Sequence, residues 1–280
     1  PYITSTLQQD ASRRHSFAAK RTMAAAAALY EGVEIAGEGS IGLITYIRTD
    51  SLRISDEARR DGEAFVKTNY GERYLYSTPR YYKSKKNSQD AHEAIRPTTV
   101  RLTPAIVKKD LTPDQFKIYK LVWERFVSSL MSELVLDTLS AEICAGDFLF
   151  KASGYSVKFE GYTKLYKELK EEGQDDEKAL PPLNEGDLLK LLDLLGEQHF
   201  TEPPPRFNEA SLIKMLEEKG IGRPSTYAPT IMTIIKRSYV SKEKGRLIPS
   251  ELGKSVTKLL IQNFPGIFEV DFTAQMENNL

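Results

Sequence analysis

A tyrosine and an arginine two residues apart are the first side chains in this sequence that could do chemistry together. Tyr46 and Arg48 lie in residues 42–51, which read Gly-Leu-Ile-Thr-Tyr-Ile-Arg-Thr-Asp-Ser. A phenol oxygen can attack phosphorus as a nucleophile, and a guanidinium binds and neutralises phosphate oxygens. The pattern therefore indicates phosphoryl transfer, although a core tyrosine beside a surface arginine would give the same ten residues.

A second set of reactive side chains lies in residues 89–98, Gln-Asp-Ala-His-Glu-Ala-Ile-Arg-Pro-Thr. His92 can hold a proton or pair with an anion near neutral pH, and Arg96 is a permanently charged phosphate ligand. A lone histidine in a loop is usually only a surface residue. The segment becomes a stronger candidate for a functional site when it is considered together with Tyr46.

A third set is found in residues 220–230, Gly-Ile-Gly-Arg-Pro-Ser-Thr-Tyr-Ala-Pro-Thr. The glycines end one predicted helix, and Pro-Ser-Thr begins the next. Exposed backbone N–H groups, the hydroxyls of Ser225 and Thr226, and the guanidinium of Arg223 would form an anion site at a helix N-terminus. The alternative is an ordinary helix-capping turn.

The elements that must position these residues follow from hydrophobic periodicity and end signals. The apolar run 42–47 predicts a short strand, with Asp50 or Ser51 opening the next turn. Helices are predicted within 1–32 (the second part from about 17 to 30) and over 55–70, 111–131, 208–219, 227–237, 249–263 and from 272 onwards. Thr4, Ser5 or Thr6, Ser55 and Thr112 are the predicted N-caps of the helices that follow them. The aromatic side chains that recur at helical spacing along 111–131 are predicted to be core. Strands are predicted over 134–144, 148–152 and 155–160 as a meander, and over 186–195 and 197–201, with a hairpin around 244–245.

Composition indicates a globular protein of two or three domains, with 280 residues, 40% hydrophobic and 28% charged. We find no internal repeat, secretion signal or apolar run long enough to cross a membrane. The single cysteine excludes an internal disulfide, fits a reducing compartment and is predicted to be buried. One Cys and three His make a zinc site improbable. The net charge is zero, with mildly basic ends and an acidic middle, so nucleic-acid binding would depend on local grooves.

The three motifs together resemble those of type IA DNA topoisomerases. Residues 43–51 are similar to the active-site tyrosine motif in its bacterial topoisomerase I form, whereas topoisomerase III usually has proline after the tyrosine. Residues 91–97 and 220–227 resemble two further family segments, and residues 1–12 and 272–277 match as well, in the same order along the chain. A topoisomerase III or a reverse gyrase remains an alternative.

The resemblance implies roles for individual residues. Tyr46 would be the nucleophile, with Arg48 stabilising charge and His92 positioning the phosphate. Glu93 would hold Arg96 or His92 in place. The implied DNA-binding residues are Arg96, Arg223, Ser225, Thr226, Thr49 and Asp50. No metal ligand is expected, since the acidic run 175–177 reads as a solvated charge cluster within a charged insertion at 167–180.

The resemblance also implies an α+β multidomain fold, part of the family's toroid. Residues 5–131 would form a helical gate domain carrying the tyrosine, and 132–204, with 1–4, a β-rich arch or hinge domain. Residues 205–280 would form a truncated, winged-helix-like domain with a groove for single-stranded DNA. We expect the chain to be a fragment that lacks the Toprim domain and the C-terminal DNA-binding domains.

The implied reaction is ATP-independent cleavage of one DNA strand through a 5′-phosphotyrosine, strand passage and religation, which relaxes negative supercoils. Mg²⁺ would bind the missing Toprim domain, so we expect no cofactor on this chain and no relaxation by it alone. The partners would be single-stranded and negatively supercoiled DNA, for a monomeric protein of the bacterial cytoplasm and nucleoid, without membrane contact. Two alternatives remain open: a non-catalytic DNA-binding gate module, and a tyrosine recombinase, which links to a 3′-phosphate.

Overall fold

The fold is described from a computed structural model, and the description covers residues 1–82, 91–167 and 179–279. Residues 89 and 90 of the second motif and the acidic run 175–177 lie outside these residues. So does most of the charged insertion predicted over 167–180. The described chain divides into two compact units, Pro1–Met131 with Arg206–Leu280, and Ser132–Pro205.

The first part of the larger unit is mainly helical. Its helices are α1 (Thr4–His15), α2 (Ala19–Glu31), α3 (Asp56–Tyr70), α4 (Pro104–Val107) and α5 (Pro113–Ser129), with a small antiparallel pair β1 (Val33–Ile35) and β2 (Gly39–Ile41). The aromatic stripe predicted as core on α5 is largely buried, with Tyr119, Trp123 and Phe126 each at most 4% exposed. This core carries the segments that hold Tyr46 and His92.

Capping residues in the sequence predict where two helices of this part begin. Ser55 accepts a hydrogen bond from the N–H of Ala58 and caps α3, which ends before Gly71 at Tyr70, as predicted. Thr112 and Gln115 form a capping box at the start of α5, at 3.3 and 2.9 Å. At α1 the predicted Thr and Ser caps are wrong, because the helix already begins at Thr4, with Ile3 before it.

The second part of the larger unit has the predicted order of helix, helix, hairpin and helix. It consists of α6 (Glu209–Glu218), α7 (Tyr227–Lys236), β5 (Val240–Glu243), β6 (Arg246–Pro249), α8 (Glu251–Asn263) and α9 (Val270–Asn279). Ile213 of α6 and Ile231 of α7 are buried in a cluster that also contains Ala19 of α2. The second part therefore packs against the first, and the predicted boundary between a gate domain and a DNA-groove domain stays a prediction. Residues 1–4 belong to this unit, whereas we expected them to group with the β-rich segment.

The smaller unit is built on one long antiparallel hairpin of β3 (Val135–Ala145) and β4 (Phe148–Phe159). The predicted turn at Gly146 is correct, with φ +60°. The predicted break at 153–154 is wrong, because Ser153 and Gly154 pair with Ser140 and Leu139 within a continuous ladder. The three-stranded meander is thus a two-stranded hairpin. Cys144 is exposed rather than buried, since the hairpin is largely open to solvent.

The strands predicted over 186–195 and 197–201 do not form, and these residues have no regular secondary structure. Leu188 is 100% exposed and Leu192 87% exposed. An apolar run becomes a strand only where another strand supplies hydrogen-bonding partners. Among the described residues no strand pairs with this segment, so the alternation in sequence is not enough.

The strand predicted over 42–47 is also wrong in detail. The segment is extended, but its only ladder contact among the described residues is the single antiparallel bridge Ile44–Pro97. Proline has no N–H to donate, so Pro97 prevents a regular ladder from continuing on the partner side. The segment that carries the tyrosine is therefore an isolated extended stretch followed by a bend.

Candidate active site

The phenol ring of Tyr46 lies between two other aromatic side chains. It stacks on the imidazole of His92, with ring centroids 4.7 Å apart and an interplanar angle of 30°. The ring of Tyr30, at the end of α2, meets it edge-on at 5.6 Å. Tyr46 is only half-buried, and its hydroxyl makes no hydrogen bond to any residue that the structure describes. Contacts of the ring thus hold the side chain in place, while the phenol oxygen has no hydrogen-bond partner among the described residues.

Hydrogen bonds between the first two motifs fix this stack. The Thr45 hydroxyl donates to the carbonyl of Ala94 at 2.7 Å and accepts from the N–H of Arg96 at 3.0 Å. The Thr45 N–H donates to the Arg96 carbonyl at 3.0 Å. On the other side of Ile44, the Thr98 hydroxyl donates to the Gly42 carbonyl at 2.7 Å. The residues next to Tyr46 are therefore locked to those that follow His92.

The bend after Tyr46 is anchored by a buried threonine of α1. The Thr4 hydroxyl lies 2.8 Å from the Ile47 carbonyl and 2.9 Å from the Thr49 N–H. Thr49 is buried, and its hydroxyl accepts from the N–H of Ser51 at 3.0 Å. Arg48, between these anchored residues, is exposed and has no ion pair or hydrogen bond among the described residues. The bend thus leaves one free guanidinium two residues from the phenol.

Arg96 is engaged inside the protein rather than at the surface. Its guanidinium lies 2.7 Å from a carboxylate oxygen of Glu93, and its side chain is 12% exposed. It also donates to the carbonyl of Pro97 at 3.0 Å and contacts the hydroxyl of Ser55 at 3.5 Å. In this conformation Arg96 positions the second motif, as expected if Glu93 holds it. Direct DNA binding by Arg96 or by the buried Thr49 stays a prediction without geometric support.

The third motif forms a tight turn at the start of α7. Gly222 has φ +80°, a conformation that favours glycine, and an added Cβ would lie 3.1 Å from the Thr226 hydroxyl oxygen. That hydroxyl accepts from the Arg223 N–H at 2.8 Å. The Ser225 hydroxyl is exposed and has no hydrogen bond to another described residue. The Arg223 guanidinium is paired with Glu277 of α9, its Nη1 lying 3.5 Å from the carboxylate.

Electrostatics connect the first and third motifs through Tyr227, the first residue of α7. Burial raises the pKa of Tyr227 to about 12, and the negative charges of Glu217 and Asp50 add to the rise while Arg223 opposes it. Asp50 and Arg223 therefore both act on the same buried hydroxyl. The structure thus brings the residues after Tyr46 into the electrostatic environment of the third motif.

Three residues of these networks were not predicted from the sequence as site residues. Tyr30 is one of fourteen tyrosines, and its contact with Tyr46 spans 16 positions. Thr4 was predicted only as a helix cap, and Glu277 only as part of a terminal family match. The family-like segments around residues 4 and 277 were the only signal, and they named no partner for either side chain.

The described residues contain no cluster of three or more His, Cys, Asp or Glu that could bind a metal ion. In the same part of the chain, none of the helices combines the length and apolarity that crossing a bilayer requires.

Comparison with known proteins assigns the chain to a family. A family model described as DNA topoisomerase matches residues 1–280. The chain therefore belongs to the DNA topoisomerase family, of type IA, whose members are isomerases of DNA topology. Among solved structures, full-length topoisomerase I from Thermotoga maritima is similar to it, with 36% sequence identity and a TM-score of 0.85. The match covers 100% of this chain and 45% of that protein, so the chain spans less than half its relative's length.

Proposed function

We propose that this chain is the tyrosine-bearing part of a type IA topoisomerase that cleaves one DNA strand, passes another through the break and reseals it, relaxing negative supercoils without ATP. The observation that carries the proposal is the stack of a half-exposed Tyr46 on His92. A tyrosine that served only to fill the core would be enclosed by apolar side chains. Here it is flanked by an imidazole, a phenol and an unpaired arginine two residues on.

In the proposed cleavage step, the phenol oxygen of Tyr46 attacks a backbone phosphorus. The new bond joins that oxygen to the 5′-phosphate, and the bond to the 3′-oxygen breaks. The phenol loses its proton, and the leaving 3′-oxygen gains one as a 3′-hydroxyl. One phosphodiester replaces another, so the reverse attack by the 3′-hydroxyl reseals the strand without an energy source. No described residue is hydrogen-bonded to the phenol as a general base.

Phosphoryl transfer depends mainly on positioning and on stabilising the charge of the phosphate oxygens. Arg48 is suited to the second task, because its guanidinium is exposed and unpaired among the described residues. His92 is suited to the first, because it fixes the phenol ring and can itself donate to a phosphate oxygen. Arg96 and Glu93 then act as positioning residues for His92.

We assign the third motif to the backbone of the single strand that leads to Tyr46. Ser225 and Thr226 are exposed beside Arg223, at the N-terminus of α7. On the side of Tyr46, we assign Asp50 to the same strand, and we assign Thr49 the role of anchoring the backbone of the bend. A monomer acting on single-stranded and negatively supercoiled DNA in the bacterial cytoplasm remains our prediction. The Mg²⁺ site is proposed for a Toprim domain outside this chain, and no step above depends on it.

The test is a denaturant-resistant protein–DNA adduct formed by the full-length protein on labelled single-stranded DNA. The proposal expects the adduct to disappear in Tyr46→Phe and to persist in Tyr81→Phe, whose ring is 73% exposed. An adduct joined to a 3′-phosphate would indicate a recombinase, and strong DNA binding without any adduct would indicate a non-catalytic gate module. The 280-residue chain alone, mixed with supercoiled plasmid and Mg²⁺, should not relax it.

A further inference from the structure

The third motif already holds an anion, and that anion belongs to the protein itself. One carboxylate oxygen of Glu277 accepts a hydrogen bond from the Gly222 N–H at 3.2 Å. The other lies 3.5 Å from Nη1 of Arg223. A second guanidinium nitrogen of Arg223 donates to the backbone carbonyl of Glu277. A residue of α9 thus binds the turn that precedes α7.

The two groups that bind this carboxylate are those that a phosphate would use. A glycine N–H at a turn and an arginine guanidinium are standard donors to phosphate oxygens, and a carboxylate presents similar acceptor oxygens to both. Neither side chain of the ion pair is fully buried, since Arg223 is 41% and Glu277 23% exposed. Ser225 and Thr226 remain exposed beside them. A strand of DNA could therefore reach the same position from solvent.

We propose that the Glu277 carboxylate occupies a phosphate subsite formed by Gly222 and Arg223, and that a phosphate of single-stranded DNA displaces it on binding. The inference rests on the proposed function of this motif and adds an internal competitor to it. The guanidinium of this pair is exposed to solvent over 41% of its side chain, which weakens the pair and lets a phosphate compete for it. As a consequence, α9 is released from the turn whenever a DNA phosphate occupies this subsite.

The test uses the isosteric variant Glu277→Gln in the 280-residue chain. Its amide oxygen can still accept from the Gly222 N–H, but it no longer neutralises Arg223. Binding of a fluorescein-labelled single-stranded oligonucleotide, followed by anisotropy at several salt concentrations, should become roughly 2- to 5-fold tighter. The slope of log K against log salt should steepen by about 0.7, because Arg223 now releases its own counterion when it meets a phosphate.

Two further variants make the result specific. Glu269→Gln removes the same charge just before α9, and the Glu269 side chain has no contact with the third motif among the described interactions, so its affinity should change little. In a background of Arg223→Gln, the gain from Glu277→Gln should vanish. Thermal unfolding of each variant confirms that it is folded. If Glu277→Gln unfolds, Glu277→Asp, whose shorter carboxylate cannot span both donors, should show the tighter binding.

Each outcome is decisive. An affinity that is unchanged or lower in a folded Glu277→Gln, while the wild-type chain binds DNA, overturns the exchange but leaves the proposed function intact. Equal gains in Glu277→Gln and Glu269→Gln reduce the effect to net charge and also overturn it. If neither the wild type nor any variant binds the oligonucleotide, the DNA-binding role of the third motif fails as well.

Discussion

The rings of Tyr46 and His92 lie in contact, with centroids 4.7 Å apart and planes inclined by 30°. The two residues are 46 positions apart in sequence, and the hydrogen bonds of Thr45 to Ala94 and Arg96 bring them together. The stack fixes the plane of the phenol and therefore the direction from which its oxygen can approach a phosphorus. We propose that His92 acts by positioning the phenol rather than by proton transfer.

Replacing His92 should separate positioning from hydrogen bonding. His92→Ala removes both the stacked ring and the imidazole, and we expect adduct formation by the full-length protein to slow by about 10²-fold. His92→Phe keeps a stacked ring and should recover part of that loss. His199→Ala is the control, because that imidazole is largely exposed. An unchanged rate in His92→Ala would contradict the positioning role.

Gly42→Ala tests how tightly the Tyr46 segment is packed. An added Cβ would lie 2.7 Å from the Tyr30 carbonyl oxygen, closer than a real contact allows. The backbone must shift, so we expect a loss of about 1–3 kcal/mol in the free energy of unfolding, measured by urea denaturation. Gly266→Ala, which has nothing within 4 Å, should change it far less. Equal effects of the two substitutions would show that Gly42 is not in close contact with the Tyr30 carbonyl.

The ion pair of Arg96 and Glu93 should contribute to stability rather than to DNA affinity. Glu93→Gln leaves a mostly buried guanidinium without its charged partner, which should cost about 2 kcal/mol of unfolding free energy. Lys67→Met breaks an exposed pair with Glu72 and should have no measurable effect. A folded Arg96→Met that lost DNA binding without losing stability would instead identify Arg96 as a direct phosphate ligand.

Alkaline pH should weaken the fold through Tyr227. Its pKa is raised from the ordinary 10.0 to about 12, chiefly by burial. Below pH 10.0 the phenol is protonated in both the folded and unfolded chain, so this stability is fully present. It is lost as pH rises towards about 12, because only the unfolded chain ionises easily. The free energy of unfolding, measured by denaturation at pH values from 9 to 12, should therefore fall more steeply with pH for the wild type than for Tyr227→Phe. Tyr81→Phe should follow the wild type.

Elements with local signals could be predicted from the sequence. The caps at Ser55 and Thr112 and the turn at Gly146 depend on neighbours within a few residues, and all three are found. Elements that need a distant partner could not. Residues 42–47 meet Pro97, which cannot extend a ladder, and residues 186–201 find no pairing strand in the described chain.

The same distinction applies to the site. Residue types and motif order identified Tyr46, Arg48, His92 and Arg223 as candidates, because chemistry depends on which side chains are present. Whether a side chain faces solvent or the interior depends on contacts far along the chain. Arg96 pairs with Glu93, and the N–H of the buried Thr49 donates to the Thr4 hydroxyl, so two residues predicted to bind DNA also have structural contacts. The pairing of Glu93 with Arg96 was expected from the resemblance, whereas the contact of Thr49 with Thr4 is not visible in the motif itself.

The most direct measurement is to identify the amino acid and the DNA end joined in the covalent intermediate. The full-length protein is trapped on single-stranded DNA with denaturant and digested with trypsin and nuclease. The peptide of residues 22–48, which contains both Tyr30 and Tyr46, is then fragmented by mass spectrometry. Our account predicts a nucleotide joined through its 5′-phosphate to Tyr46. A nucleotide on Tyr30, a 3′-phosphate linkage or an unmodified peptide from protein that relaxes plasmid would contradict it.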